Sequence, residues 1–301
     1  LKADDLGRVV AAHGRHDVVL LPDQTLLQCV TRGRKGGALC GDLVDARRTG
    51  DNTGVIESIA ERRNVFMRSD NYKSKGLAAN LDQVFGVVAG APPFSLELLE
   101  RAAVEAERQE LPMCIILNKA DLPEPTRQAR NRLKNLSSLG YPFIEVSVRT
   151  RPEQARARIA PLLAGKTTLL FGESGMGKST LLNLLVPDAQ ARTREISTAL
   201  NSGRHTTTDA RLFKLPDQGG VLIDTPGFQE FGLSHVSPGQ IERAFPDLAP
   251  YLGKCRFYNC SHLNEPGCAV RAAVQDGAIA ASRYQLFCEL TQQSTVGVKR
   301  I

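Results

Sequence analysis

No long hydrophobic run occurs in this chain. "MCIIL" (113–117) is among its longest apolar stretches, far short of the roughly 18 residues that a membrane-spanning helix needs, so no membrane span or membrane partner is expected. The first residues carry two acids, Asp4 and Asp5, and no apolar core of the secretory-leader kind. The protein is therefore expected to be cytoplasmic, and Leu1 in place of a start methionine suggests that the natural chain begins upstream. Internal repeats and low-complexity tracts are also missing. Net charge is small in the middle: residues 76–235 carry a net +1, against +3 for 1–75 and +2 for 236–301, within a total of +6. Such a flanking excess fits a polyanion such as nucleic acid held from both sides, and it fits an ordinary basic surface equally well.

The 301 residues, 42% hydrophobic and 23% charged, are those of a soluble globular chain with room for two or three domains. Of seven cysteines, Cys29, Cys40, Cys114 and Cys288 are scattered, most in apolar stretches, and read as buried thiols. Cys255, Cys260 and Cys268 crowd into 14 residues with His262 among them, which in a cytosolic chain points to a metal rather than to disulfides.

Three regions follow from the patterning. Residues 1–68 alternate short β-rich runs with turns such as "PDQ", "RGRKGG" and "TGDNTG", the rhythm of a small closed barrel. The OB-fold, an SH3-like barrel and a plain structural barrel look alike at this level. Arg32, Arg34, Lys35, Arg47 and Arg48 cluster around its turns. Residues 69–235 alternate buried strands ("QVFGVVA", "MCIILN", "PFIEVS", "TTLLFG", "GVLID") with helical stretches such as "SLELLERAAVEAERQE", an α/β pattern with a mostly parallel sheet and crossover helices. Residues 236–301 hold the cysteine cluster between helices expected near 237–245, 270–276 and 283–293.

"FGESGMGKST" (171–180) contains Gly172-x-x-x-x-Gly177-Lys178-Ser179 after an apolar strand and before a helix, the context of a phosphate-binding loop. Gly172, Gly175 and Gly177 let the backbone N–H groups of the loop (Glu173, Ser174, Met176 and Thr180 included) surround the phosphates at a helix N-terminus. Lys178 is the candidate for the β- and γ-phosphates, and Ser179 for Mg²⁺. "DTPGF" (224–228) places Asp224 to hold Mg²⁺ and the Gly227 N–H to touch a γ-phosphate. "NKAD" (118–121) reads as a guanine reader: Asn118 on the base edge, Lys119 along the base, and Asp121 accepting two hydrogen bonds that adenine has no donors to satisfy.

The base reader precedes the phosphate loop by 54 residues, the reverse of the usual order. Ligands of a parallel sheet bind at the rim formed by the strands' C-terminal ends, whatever the chain order, so the domain reads as circularly permuted. The Asp224 loop then ends the domain, and its release after hydrolysis is expected to move the C-terminal module.

The permuted order, "NLDQV" (80–84), "GESGMGKST", "GRHTTT" (203–208) and "DTPGF" together resemble the small ribosomal subunit biogenesis GTPase family (RsgA, also called YjeQ or EngC) over essentially the whole chain. The resemblance implies three parts: an N-terminal OB-like, RNA-binding β-barrel, a circularly permuted P-loop GTPase domain, and a C-terminal, mainly helical zinc module. It implies a monomeric GTP hydrolase that binds the 30S subunit and its rRNA late in assembly and turns GTP over to GDP slowly, with stimulation there. Thr207 or Thr208 would supply a Mg²⁺-ligating hydroxyl, and Ser147 would close over the base. Phe228 stands where many GTPases place a water-orienting glutamine, and His205 is the family's candidate catalytic residue beside Lys178. A GTP-gated RNA-binding module with negligible turnover is the rival reading.

Cys255-x₄-Cys260-x-His262-x₅-Cys268 supplies three thiolates and one imidazole, a full tetrahedral shell with no open position, as a structural Zn²⁺ site has. The spacing matches the family's zinc motif and implies one zinc per chain. Arg256, Arg271 and Arg283 are then candidates to meet RNA phosphates.

Overall fold

The computed structural model describes residues 5–13, 16–31, 37–69, 73–191, 193–194, 210–216 and 219–297. His205, Thr207 and Thr208, like Arg32, Arg34 and Lys35, lie outside the described residues.

The first five strands are β1 (Gly7–His13), β2 (His16–Leu20), β3 (Leu26–Thr31), β4 (Leu43–Arg48) and β5 (Thr53–Ile59). They pair in the order β1-β2-β3-β5-β4, and β4 returns to β1, which closes the barrel. The β3–β5 pair is parallel and the others antiparallel; this five-strand Greek-key closure is that of an OB-fold. Alternate residues Val9, Val19, Leu27, Cys29, Val44 and Ile56 point inward and form its own core, as the period of two requires. Val10, Ala11 and Val18, on the opposite face, join the main core instead.

"NVFMR" does not extend the barrel. Its strand β6 (Val65–Ser69) pairs with β7 (Ser74–Ala79) in a separate antiparallel hairpin. Side chains of the first helix satisfy its backbone: Met67 N–H donates to Glu105 Oε1 at 2.9 Å and Val65 N–H to Gln109 Oε1 at 3.4 Å.

The central sheet runs β10 (Phe143–Glu145), β9 (Met113–Asn118), β8 (Gln83–Ala89), β11 (Thr167–Phe171), β13 (Val221–Asp224), β12 (Arg211–Lys214). All neighbours are parallel except β12–β13. Every residue of β8, β9 and β11 is buried, because a parallel sheet is covered on both faces. The helices of this part are α1 (Leu96–Arg108), α2 (Pro123–Arg132), α3 (Lys134–Ser138), α4 (Pro152–Leu163) and α5 (Lys178–Leu185). Ser95 caps α1 by accepting the Leu98 N–H at 3.2 Å.

Beyond β13 come α6 (Pro238–Arg243), a 3₁₀ turn (Ala249–Tyr251), α7 (Ala269–Gln275) and α8 (Ala281–Gly297). α8 packs on α6, and α6 on α1, through Phe245 and Phe287 at 5.5 Å edge to face. Arg283 in α8 is 1% exposed. Its guanidinium bonds Asp247 at 3.3 Å and lies 4.5 Å from the Phe245 ring centroid and 4.0 Å from Glu100 of α1. It therefore does not reach an RNA phosphate, and the expectation that it would is corrected: its hydrogen bonds go to Asp247 inside the module, and its charge faces Glu100 across the boundary with α1. Arg47 and Arg48 of the barrel are exposed but engaged, with Glu57 at 3.1 Å and Asp23 at 2.7 Å.

Candidate functional site

β11 delivers Phe171 to the sheet's C-terminal rim, and the loop Gly172–Gly177 turns there into α5. Gly177 has φ +91°, left-handed backbone that suits glycine. Beside it, β9 ends at Asn118. The Asn118 amide donates from Nδ2 to Met176 O at 3.0 Å, and its Oδ1 accepts the Val148 N–H at 3.1 Å. One buried side chain thus joins the phosphate loop, the base-reading loop and the segment after β10. Lys119 takes φ +62°, a conformation costly for a side-chain-bearing residue, while its Nζ donates to Ala91 O at 2.7 Å.

Ser147 Oγ donates to Asp121 Oδ1. With that proton committed, Thr150 Oγ1 donates to Ser147 Oγ at 2.6 Å. The two hydroxyls fix the rotamer of the carboxylate that a guanine edge would meet. Ser147 was named from sequence; Thr150 was not, because a threonine in "VRTRPEQ" carries no signal until the chain folds. Arg149 was missed for the same reason: it lines the cleft on the base side, where a guanidinium can stack on a ring.

On the other side, β13 brings Asp224 to the rim. Lys178 Nζ donates to Asp224 Oδ1 at 3.2 Å and to Thr225 O at 2.6 Å. Burial pushes the Asp224 carboxyl above its ordinary range, with the neighbouring Lys178 ammonium opposing. Gly227 packs so closely on the phosphate loop that a Cβ there would lie 3.1 Å from Ser174 N. Glu173 Oε2 accepts the Ser95 N–H at 2.6 Å, which ties the loop to the start of α1.

Together these groups line a cavity of about 840 Å³: Asn118, Lys119, Asp121, Ser147 and Arg149 at one end, Glu173, Ser174, Gly175, Gly177, Lys178, Ser179 and Thr180 in the middle, and Asp224, Thr225 and Gly227 at the other. Gly172 and Met176 stand behind it, both buried. Phe228 is absent from this lining and 4% exposed. Its ring lies 6.0 Å from Phe231, and Arg68 covers it at 5.4 Å.

The cysteine cluster is assembled too. The candidate ligand atoms of Cys255, Cys260, His262 and Cys268 all lie within 4.8 Å of one another. The Sγ atoms of Cys255 and Cys268 are 3.8 Å apart, and His262 Nδ1 is 3.4 Å from each. Tetrahedral Zn²⁺ with bonds of ~2.3 Å to sulfur and ~2.0 Å to nitrogen has edges of about 3.8 and 3.5 Å, so the donor set can bind zinc. His262 Nε2 faces Glu242 Oε1 at 3.4 Å, the carboxylate partner that fixes a ligating imidazole.

A protein-family model described as RsgA GTPase matches residues 59–234. The small ribosomal subunit biogenesis GTPase RsgA of Burkholderia pseudomallei (strain K96243) is 55% identical over 290 residues, covering 96% of this chain and 92% of that protein. The chain belongs to the RsgA GTPase family. RsgA of Paraburkholderia phytofirmans is 54% identical, with 96% and 93% of the two chains covered. Among solved structures, YjeQ from Thermotoga maritima matches with a TM-score of 0.70 at 30% identity over 97% of this chain and 98% of that one. YloQ, described as a circularly permuted GTPase, matches with 0.68 at 28% identity over 96% and 94%. The RsgA family's permutation is visible in the sheet: β8 pairs directly with the phosphate-loop strand β11, and β9, which ends at Asn118, lies beyond β8, although both precede β11 in the chain.

Proposed function

We propose that this chain hydrolyses GTP during late maturation of the 30S ribosomal subunit, binding the subunit and its rRNA and turning over faster when bound. The observation that carries the nucleotide part is the Asn118 side chain, bonded at once to the phosphate loop and to the loop behind Asp121. It makes one continuous cleft of motifs that lie far apart in sequence. The subunit is the one named for the RsgA relatives. An N-terminal unit over residues 1–68 built on the barrel, a GTPase domain over 69–235 and a zinc module over 236–301 are the working units, acting as a monomer in the cytoplasm.

Asn118 and Asp121 read the guanine, between Lys119 and Arg149, with Ser147 and Thr150 holding Asp121. Backbone N–H groups from Gly172 through Thr180 take the phosphates. Lys178 exchanges Asp224 and Thr225 for the β- and γ-phosphates. Ser179, Asp224 and Thr207 or Thr208 hold Mg²⁺, which neutralises charge on the phosphates, and Gly227 senses the γ-phosphate. His205 positions the water, since the Phe228 ring is packed away from the cleft. One structural Zn²⁺ sits on Cys255, Cys260, His262 and Cys268.

The same Phe228 favours a second reading, a GTP-gated RNA-binding module with negligible turnover. GTP hydrolysis measured with and without purified 30S subunits, with ATP as competitor, separates the two. Stimulated turnover lost in Lys178→Ala supports the hydrolase, and binding without stimulation supports the gated module.

A further inference from the structure

Between the first two ligands of the Cys₃His cluster the chain runs Arg256-Phe257-Tyr258-Asn259. Among the described residues, the exposed large apolar side chains are Val30, Leu122, Leu162, Phe257 and Tyr258. Two of these are consecutive aromatics, Phe257 at 42% and Tyr258 at 107% exposure. Most other aromatic side chains of the module are packed: Phe245 and Phe287 are buried, and Tyr284 donates to His262 O at 2.7 Å. The pair is left in water while Phe245, Leu248, Val270, Leu286 and Phe287 of the same module are buried.

The turn is held rigid. Candidate ligands flank it on both sides, the Cys260 N–H donates to Phe257 O at 3.3 Å, and the Arg256 N–H donates to Gly267 O at 3.0 Å. The Arg256 guanidinium lies over the Phe257 ring at 5.6 Å from its centroid. Lys254 is exposed just before the turn. From Lys254 to Asn264 the charges are both positive, and the next residue, Glu265, is turned onto Ser261, accepting from its N–H at 2.8 Å and its Oγ at 2.6 Å. A flat ring on a stiff turn, with two cations and a polar rim, suits a nucleobase with its phosphate neighbours.

We propose that Tyr258, backed by Phe257 and Arg256, is a platform on which an unpaired base of the small-subunit RNA stacks, an inference that rests on the ribosomal reading above. Stacking tolerates any base, so the platform adds grip and orientation rather than sequence choice. The cations act on phosphate, and the ring does not. The two contributions therefore separate in salt: removing a phosphate contact lowers the salt slope by about one, while removing a stacked ring leaves it unchanged.

The chain contains no tryptophan, so Tyr258→Trp carries a sole indole at the platform. The zinc-loaded full chain with a non-hydrolysable GTP analogue is titrated with purified 30S subunits, complex formation being followed independently by sedimentation. Quenching of the indole as the complex forms is expected. Tyr258→Phe should bind like the parent, and Tyr258→Ala should bind roughly 5- to 150-fold more weakly with an unchanged salt slope. Arg256→Ala should flatten the slope. A complex that forms with unaltered emission overturns the platform, as does a blue-shifted, brighter emission from burial in protein or wild-type affinity of Tyr258→Ala. Failure of every variant, and of the parent, to bind subunits overturns the ribosomal reading itself.

Discussion

Gly177→Ala tests the joint between the two halves of the nucleotide cleft. A Cβ on Gly177 would stand 2.2 Å from Asn118 Nδ2, at a residue with φ +91°. The left-handed backbone alone costs an alanine about 1–2 kcal/mol. Asn118 must also move, which breaks its bonds to Met176 O and from the Val148 N–H, each worth about 1 kcal/mol. Gly175 is the matched control: its φ is +82°, but a Cβ there meets only Pro92, at 3.3 Å. Gly175→Ala should lose about 1–2 kcal/mol in urea unfolding, and Gly177→Ala about 3–4 kcal/mol. With Asn118 in its proposed role at the base, Gly177→Ala should bind a fluorescent GDP about 30-fold more weakly than Gly175→Ala, the factor for about 2 kcal/mol. The Gly177→Ala/Asn118→Ala double mutant should lose less than the sum of the singles. Equal stability losses in the two glycine variants, or guanine binding by Gly177→Ala within about threefold of the parent, would refute the shared joint.

Three further outcomes follow from the packing. Phe228→Gln should not restore an intrinsic catalytic glutamine: the position is 4% exposed beside Phe231 and under Arg68, so the swap forfeits about 2 kcal/mol of burial and leaves subunit-free turnover no faster in a phosphate-release assay. Cys268→Ser removes a buried thiolate donor; zinc content measured by a colorimetric chelator should fall below one per chain, and trypsin should cleave within 236–297 before the rest. His235 is pushed down to about 4 chiefly by burial, while Glu105, 3.9 Å away, is already bonded by Arg108. A histidine pKa lower in the folded chain means that stability is full above about 6.5 and falls as pH drops toward 4, by about 2 kcal/mol at pH 5; His235→Leu should lose that slope in urea midpoints, and parallel curves for the two proteins would contradict it.

The elements legible in the sequence are those whose chemistry dictates local backbone. A phosphate loop needs glycines at fixed places, and Asp-x-x-Gly needs a strand end, so Gly172, Gly177 and Asp224 stood where expected. The Cys₃His spacing likewise allows few geometries. What stayed hidden depends on distant packing. The "NVFMR" run is as apolar and β-rich as a barrel strand, yet it pairs with β7, because β propensity does not name the partner. Helices α2 and α3 went unread since they offer a thin buried stripe, Thr126, Ala129 and Leu136. Arg283 looked like a surface cation because nothing near it in sequence shows that Asp247, Phe245 and Glu100 will enclose it.

That enclosure also bears on what the permuted order can transmit. From Gly227 the chain runs through Phe228 and Phe231, whose ring lies 5.8 Å from Phe66 of β6. The Gly232 N–H then donates to Ser69 O at 3.0 Å, and the Ser69 N–H to Gly232 O at 2.8 Å. A displacement of the Asp224 loop therefore reaches β6 before it reaches α6. The C-terminal module is clamped on α1 by Arg283 against Glu100 and by Arg101 against Glu289 and Gln293, and α1 is tied to the phosphate loop through Ser95 and Glu173. Swinging the module as a body would part Arg283 from Glu100 and Arg101 from Glu289 and Gln293, while Asp247 and Phe245, which belong to the module, would travel with Arg283. Shifting the β6–β7 hairpin would break the Ser69–Gly232 bonds and the Met67 N–H bond to buried Glu105, and would disturb the fully buried Phe66. The hairpin that follows the barrel and the C-terminal module are thus both held on α1, and the hairpin is the one bonded directly to the segment that follows Gly227.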